Sequence, residues 1–163
     1  MALEANVLDY VGRSVDLLAF DGMNLDSEAL LIQQLVYPGS NGALISGVQK
    51  LAQRFLLELL TESSSLQYLP KRGCAFMLEA RLGIWRTPAD VESAYYSSLL
   101  DVKRNLILEE ADTDPLDERF ASADLISLSL TADKAVAHIQ VSSQAGVSRK
   151  VIFPLRINNL NRS

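Results

Sequence analysis

The feature that most constrains the fold is a change of hydrophobic period at residues 112–119, Asp-Thr-Asp-Pro-Leu-Asp-Glu-Arg. Before this stretch, which we call the joint, apolar residues recur at helical spacing. After it, three short segments alternate apolar and polar residues, as half-buried strands do. The change predicts an α+β fold in which amphipathic helices pack on a small, mainly antiparallel sheet.

Two strong helices are predicted before the joint. The first begins at Ser46-Gly47; its polar face includes Gln53 and Glu58, and Leu57 lies off the apolar stripe, which indicates cover on more than one side. The second begins at Thr87-Pro88-Ala89-Asp90, which offers an N-cap hydroxyl, a proline at the first helical position and a carboxylate two residues later. It should run to about residue 110. Its expected buried stripe is Val91, Ala94, Tyr95, Ser98, Leu99, Val102 and Leu106.

The remaining N-terminal half has weaker patterns. Residues 15–20 read as a short strand, residues 28–36 as a short helix, and residues 69–77 as a turn followed by an apolar patch. Gly73 within that patch predicts a positive φ or a close approach of the backbone to another element. We divide the chain into an N-terminal extension, 1–42, and an α+β domain, 43–163.

Three strands are predicted after the joint, near residues 123–130, 135–141 and 147–157. Short turns connect them, so the plainest topology is an antiparallel meander. In the first strand, Ile126, Leu128 and Leu130 are expected to share one face. Pro154 cannot donate to a ladder, so the last strand lies at an edge or its pairing ends there.

Composition excludes several classes of function. The net charge is -5 with scattered basic residues, which argues against nucleic-acid binding. The single cysteine excludes an internal disulfide and a multi-thiolate metal site. The sequence has neither a secretory signal nor the roughly 18 to 20 apolar residues of a membrane span, so we expect folding in a reducing cytoplasm and no membrane partner.

Few residues suggest chemistry. His138, mid-strand, and Cys74, in an apolar context, are interpreted as structural. The acidic run resembles a calcium loop only loosely, because it lacks the glycine and the bidentate glutamate at the required positions; a solvated helix end and linker is the favoured interpretation. The run comprises Glu109, Glu110, Asp112, Asp114, Asp117 and Glu118.

Glu118 and Arg119 end the joint. An arginine here can make two parallel charge-assisted bonds to a carboxylate or to backbone carbonyls and so fix a turn. The alternative is an exposed charge pair that contributes little. The residues alone leave both open.

Three segments together are similar to one known family. They are residues 73–76, Gly-Cys-Ala-Phe; the helix from Pro88; and residues 117–120, Asp-Glu-Arg-Phe, leading into Ala-Asp-Leu at 123–125. Residues 43–157 resemble the baseplate wedge and sheath-initiator family of contractile phage tails, which also occurs in type VI secretion baseplates. The family signature is Glu-Pro-Arg followed by an aliphatic residue. Here Glu118 and Arg119 match, the proline lies three residues before the glutamate, and Phe120 replaces the aliphatic.

The resemblance implies a non-enzymatic structural protein of the virion tail baseplate, assembled in the host cytoplasm, with several copies around the tail axis and no cofactor. Its implied partners are other wedge proteins, sheath subunits that pair with the C-terminal strands, and tail tube or hub proteins. Lys150 and Arg156 near the edge would discourage indiscriminate pairing and suit an acidic partner. The expected partner-binding residues are Glu118, Arg119, Val147, Arg149, Val151, Phe153 and Leu155.

Two other classes of function stay open. One is a soluble regulatory adaptor of similar fold that binds its target protein as a single copy. The other is an acid-rich enzyme that uses the carboxylates of residues 109–118.

Overall fold

The structure, a computed structural model, describes residues 13–17, 44–131 and 134–156. These contain five strands and three helices. In chain order they are β1 (Asp16–Leu17), β2 (Leu44–Ile45), α1 (Gly47–Leu60), α2 (Phe76–Arg81), α3 (Pro88–Glu109), β3 (Phe120–Leu130), β4 (Lys134–Ser143) and β5 (Ser148–Arg156). The helix expected at 28–36 and residues 18–20 of the strand expected at 15–20 lie outside the described residues.

The sheet after the joint is the predicted antiparallel meander, in the order β3-β4-β5. One face of it packs on α1 and α3, which confirms the α+β class. Phe55 of α1 stacks on Phe120 of β3 with ring centroids 6.2 Å apart. The Tyr95 hydroxyl of α3 donates to the Ala123 carbonyl at 3.1 Å. Burial raises the pKa of that hydroxyl, which therefore stays a donor.

α1 begins where the sequence indicates, and the apolar residues at helical spacing are buried, namely Leu51, Ala52, Phe55, Leu56 and Leu59. The expected cover on more than one side is confirmed, because Gln53 and Glu58 on the polar face are buried. Leu57, from which that cover was inferred, is itself 43 % exposed. These two polar residues lie on a helix face that contacts other parts of the chain, where hydrogen bonds satisfy them: Gln53 donates to Asp16, and Glu58 accepts from Gly73 and Asn105.

α3 confirms the predicted helix start. The Thr87 side chain accepts from the Asp90 N–H and the Asp90 side chain accepts from the Thr87 N–H, which forms a capping box with Pro88 at its first helical position. The expected stripe is buried, with Leu99 partly so. No helix among the described residues has the length and apolar character needed to cross a membrane.

The connection between α1 and α2 explains Gly73. Its φ is +81°, and a Cβ there would collide with the Thr61 carbonyl, so both features predicted for this glycine are confirmed. The Gly73 N–H donates to the Glu58 carboxylate at 3.2 Å, and Arg72 pairs with the same carboxylate. The apolar patch predicted after Gly73 contains the short helix α2, which the weak periodicity missed.

β3 differs from the predicted first strand. It starts at Phe120, three residues earlier, and a β-bulge interrupts its register between Leu125 and Ser127. The bulge places Ile126 outward, 53 % exposed, so the expectation that it shares the buried face is wrong. An extra residue reverses the alternation beyond it, and strict period-2 reasoning cannot anticipate that.

Candidate partner-binding site

The hairpin before β5 determines which backbone groups of β5 face away from β4. The Ser143 N–H donates to the Val147 carbonyl at 2.9 Å, and the Gly146 N–H donates to the Ser143 carbonyl at 3.0 Å. Hydrogen-bonded pairs alternate along an antiparallel ladder, and the β4–β5 register is uninterrupted. The odd-numbered residues 149–155 therefore bond to β4, and the even-numbered residues 148–156 direct their N–H and C=O groups outward.

Pro154 is one of the outward-facing residues. It pairs with Val136 at a position without ladder hydrogen bonds, and pairing continues to Arg156. The strand therefore tolerates a proline, because the missing N–H would have faced away from β4. Among the described residues β5 pairs with β4 alone, which confirms that Pro154 lies on an edge strand; pairing with β4 does not end there.

The side chains expected to bind a partner divide into two groups. Val151, Phe153 and Leu155 are buried in the core of this chain, so they anchor β5 to the body. Val147 is about half exposed at the end of the hairpin, and Arg149 is half-buried opposite Val141. The assignment of these five residues to partner binding stays a prediction. A partner strand would meet chiefly the backbone between the buried side chains.

The outward-facing residues present a different set of side chains. Ser148 and Lys150 are exposed, and Ile152 and Pro154 are half-buried on the sheet face opposite the helices. This arrangement combines a row of backbone donors and acceptors with the positive charge of Lys150. The other edge of the sheet, β3, carries the bulge at Ile126, and bulges make an edge a poor template for pairing.

Glu118 of the joint is buried against the start of α1. Its carboxylate accepts from the Gly47 N–H at 3.1 Å, the Lys50 ammonium at 2.8 Å and the Ser14 hydroxyl at 3.5 Å. It therefore satisfies a helix-terminal N–H and places a negative charge at the positive end of the helix dipole. The N-terminal segment meets the same place, since Arg13 pairs with Asp117.

Arg119 has different partners. Its Nε donates to the Asp114 carbonyl at 3.0 Å and its Nη2 donates to the Asp112 carbonyl. These bonds fix the turn of the joint, which is one of the two alternatives that the sequence left open; the exposed-pair alternative is wrong. Glu118 and Arg119 thus act separately, one on α1 and the other on the joint.

The joint also contacts the hairpin that leads into β5. The Gln144 N–H donates to the Arg119 carbonyl at 2.9 Å, and the Ala145 N–H donates to the Leu116 carbonyl at 3.1 Å. The two segments are separate in sequence, and no residue pattern in either one predicts this contact. The two predicted partner-binding regions, the joint and β5, are therefore adjacent in the fold.

The solvated-linker interpretation of the acidic run is wrong for several members. The Glu110 carboxylate accepts from the Phe120 N–H at 2.6 Å, and the Asp114 carboxylate accepts from the Ala111 N–H at 2.8 Å. Glu109 pairs with Arg72. Across the parts of the chain that the structure describes, no group of three or more potential ligands could hold a metal ion.

The two isolated reactive residues have structural surroundings. Cys74 is buried, its thiol donates to the Leu59 carbonyl at 3.4 Å, and burial raises its pKa. This confirms the expectation of a small buried thiol. His138 is half-buried on the outer sheet face between Ser127 and Ile152.

Sequence reasoning missed the residues that complete the joint, namely Ser14, Gly47 and Lys50. Gly47 carried the available signal, because a glycine at the first helical position indicates a special backbone need, and its φ is +61°. Within the described ranges, the fold and site together define an α+β protein in which the regular β5 edge lies beside the hydrogen-bonded joint. Comparison with known proteins found no matching family model, no matching curated protein and no matching solved structure.

Proposed function

We propose that this protein is a structural component of a contractile tail baseplate, where it joins wedge subunits and pairs β5 with an extended strand from the first ring of the sheath. Such a protein resides in the tail of the virion. The resemblance of residues 43–157 to the wedge and sheath-initiator family suggests the role, and the geometry of β5 gives it a physical basis.

The observation that carries the proposal is the arrangement of the β5 edge. Ser148, Lys150 and Ile152 each direct a donor and an acceptor away from β4, in register. Strand addition uses such a row for affinity and the neighbouring side chains for specificity. The hairpin bonds to the joint hold this row in a fixed position, which reduces the entropic cost of pairing.

The joint supports contact with other wedge subunits through Arg119 rather than Glu118. Glu118 is 2 % exposed and its carboxylate already has partners within the chain. Arg119 is half-buried, and its guanidinium lies at the surface of the turn. A neighbouring subunit would therefore contact Arg119 and the turn it fixes.

The sharpest test places a proline at an outward-facing position of β5. Ile152→Pro removes an outward N–H and leaves the ladder to β4 complete, because Val151 and Phe153 make the inward bonds. We expect baseplates without sheath, counted by electron microscopy of tails from cells that make only this variant. Ile152→Thr, which keeps the N–H, is the matched control and should give sheathed tails.

Folding and pairing must be separated in this test. Ile152→Pro should melt close to the wild-type protein, whereas Val151→Pro should lose about 3 kcal/mol because it removes an inward bond and leaves a buried acceptor unpaired. Deletion of residues 147–163 is less informative, since Val151, Phe153 and Leu155 belong to the core. A normal yield of contractile tails with Ile152→Pro would contradict the proposal.

A further inference from the structure

Two residues at outward-facing positions of β5 affect which strand can pair with this edge. We infer that Lys150 and Pro154 disfavour pairing of β5 with β5 of a second copy and favour a different strand that places a carboxylate opposite Lys150. This deepens the proposed function by naming the chemistry of the strand, an acidic extended segment. The hydrogen-bond alternation of β5 limits the registers available to any partner.

Consider two copies of β5 paired antiparallel about a twofold axis. Outward-facing residues must meet outward-facing residues, so the axis lies at one of a few positions. With the axis at Lys150, the two ammonium groups stand directly opposite each other. Like charges at such cross-strand positions are destabilising. Ser148 would meet Ile152 of the second copy in this register, and all backbone bonds could form.

Pro154 acts on the next registers. With the axis at Ile152, Lys150 of each copy meets Pro154 of the other, which has no N–H, and a bond is lost at both ends. With the axis at Val151, Ser148 of each copy meets Pro154 of the other, so the hydrogen bond from the missing N–H is lost at both ends. Complete hydrogen-bonded pairs then remain only around the axis. The symmetric registers centred on residues 150, 151 and 152 therefore each lose either charge compatibility or hydrogen bonds.

A different strand avoids both penalties. It can pair with Ser148, Lys150 and Ile152 and still donate to the Pro154 carbonyl, and it need not bring a lysine to Lys150. A carboxylate at that position converts the repulsion of the twofold pair into a cross-strand attraction. The β5 edge is thus suited to an acidic strand from another protein and not to self-association.

A charge-reversed copy of this chain serves as the probe strand. Lys150→Glu should be as monomeric as the wild-type protein when each is alone, because like charges still oppose each other about the axis. An equimolar mixture places the new carboxylate opposite Lys150. We expect the mixture to associate about tenfold more tightly than either chain alone, since about 1.4 kcal/mol of combined charge effect corresponds to tenfold. Sedimentation velocity over a concentration series measures this.

Two controls locate the contact on β5. Lys103→Glu makes the same charge change on exposed α3 and should not associate with the wild-type chain. Ile152→Pro in either component should abolish the mixed dimer. In the second arm, Pro154→Thr restores an outward N–H and should increase self-association through the register centred on Ile152. The double variant that also carries Ile152→Pro should lose this increase.

The outcomes decide the inference separately from the proposed function. It is overturned if the mixture sediments as monomer throughout, or if the wild-type protein already dimerises through β5 and Ile152→Pro dissociates it. Lys150 is exposed, so Lys150→Glu tests the idea even if Pro154→Thr does not fold. Normal tails from Ile152→Pro would contradict the baseplate role. They would not change the meaning of a mixed dimer between the wild-type chain and Lys150→Glu.

Discussion

α1 and α3 meet the same need at their starts by different means. Each begins with backbone N–H groups that have no partner inside the helix. α3 satisfies them locally, through Thr87 and Asp90. Ser46 makes no side-chain cap on α1; the carboxylate of Glu118, 71 residues away in sequence, accepts from the Gly47 N–H instead. A local cap stabilises one helix, whereas a distant cap also joins two parts of the fold.

The distant cap has a consequence for the candidate site. Glu118 and Arg119 are neighbours in the chain, and the Arg119 carbonyl holds the hairpin that leads into β5. The start of α1, the joint and the edge strand therefore form one connected set of contacts. The start of α3 has no comparable link among its capping bonds, so changes there should stay local.

The largest expected effect is at Glu118. Glu118→Ala leaves the Gly47 N–H without its acceptor and removes the carboxylate that pairs with the largely buried Lys50 ammonium. It should lower the free energy of unfolding by about 3 kcal/mol, measured by urea denaturation. Glu118→Gln keeps an acceptor and should lose less. If Glu118→Ala costs no more than Glu92→Ala, an exposed change on α3, the cap does not stabilise α1.

Gly47→Ala should rank second. Both Gly47 and Gly146 have positive φ, so alanine costs about 1 kcal/mol at either position from backbone strain. At Gly47 a Cβ would also lie 2.7 Å from an Asp117 carboxylate oxygen, whereas nothing lies within 4 Å of one at Gly146. Gly47→Ala should therefore destabilise the protein more than Gly146→Ala in thermal melts. Equal decreases in melting temperature would show that the Asp117 side chain moves away from the new Cβ at no cost in stability.

Thr87→Ala tests the local cap. It removes the hydroxyl that accepts from the Asp90 N–H and should cost about 1 kcal/mol, with Ser93→Ala on the exposed helix face as control. Because the two caps share no hydrogen-bond partner, Thr87→Ala and Glu118→Ala should be additive in a double-mutant cycle. A clear coupling energy would mean that the helix starts are not independent.

The smallest effect concerns pH. The N–H groups of Arg86 and Thr87 donate to Asp90 and hold its pKa below the ordinary value. A carboxyl whose pKa is lower in the folded state stabilises the fold above the unfolded value, about 3.9, and loses that contribution as pH falls through the folded value. The stability difference between wild type and Asp90→Asn should shrink in acid. A difference that stays constant through this range would contradict it.

The predictable parts of the fold are those with local causes. The start of α3 follows from Thr87, Pro88 and Asp90, and the meander follows from alternating strands and short turns. Gly73 was predicted to have an unusual backbone because glycine alone adopts it freely. By contrast, the bulge at Ile126 leaves no local signature, and α2 is too short to show a period.

The candidate site was predictable only in part. The sequence indicated Glu118, Arg119 and β5, and Pro154 indicated an edge. It placed partner binding on Val151, Phe153 and Leu155, whose side chains the fold buries. The orientation of the β5 backbone depends on the hydrogen bond between Ser143 and Val147, and no residue pattern encodes that alternation directly.

The sequence by itself determined the class of the fold, the helix that caps itself and the strand that tolerates a proline, because propensity, capping and periodicity act within a few residues. Only the tertiary structure decided that Glu118 caps α1, that the joint holds the β5 hairpin and which β5 groups face outward. Those contacts join segments far apart in the chain, and their partners are selected by packing of the whole core rather than by neighbouring residues.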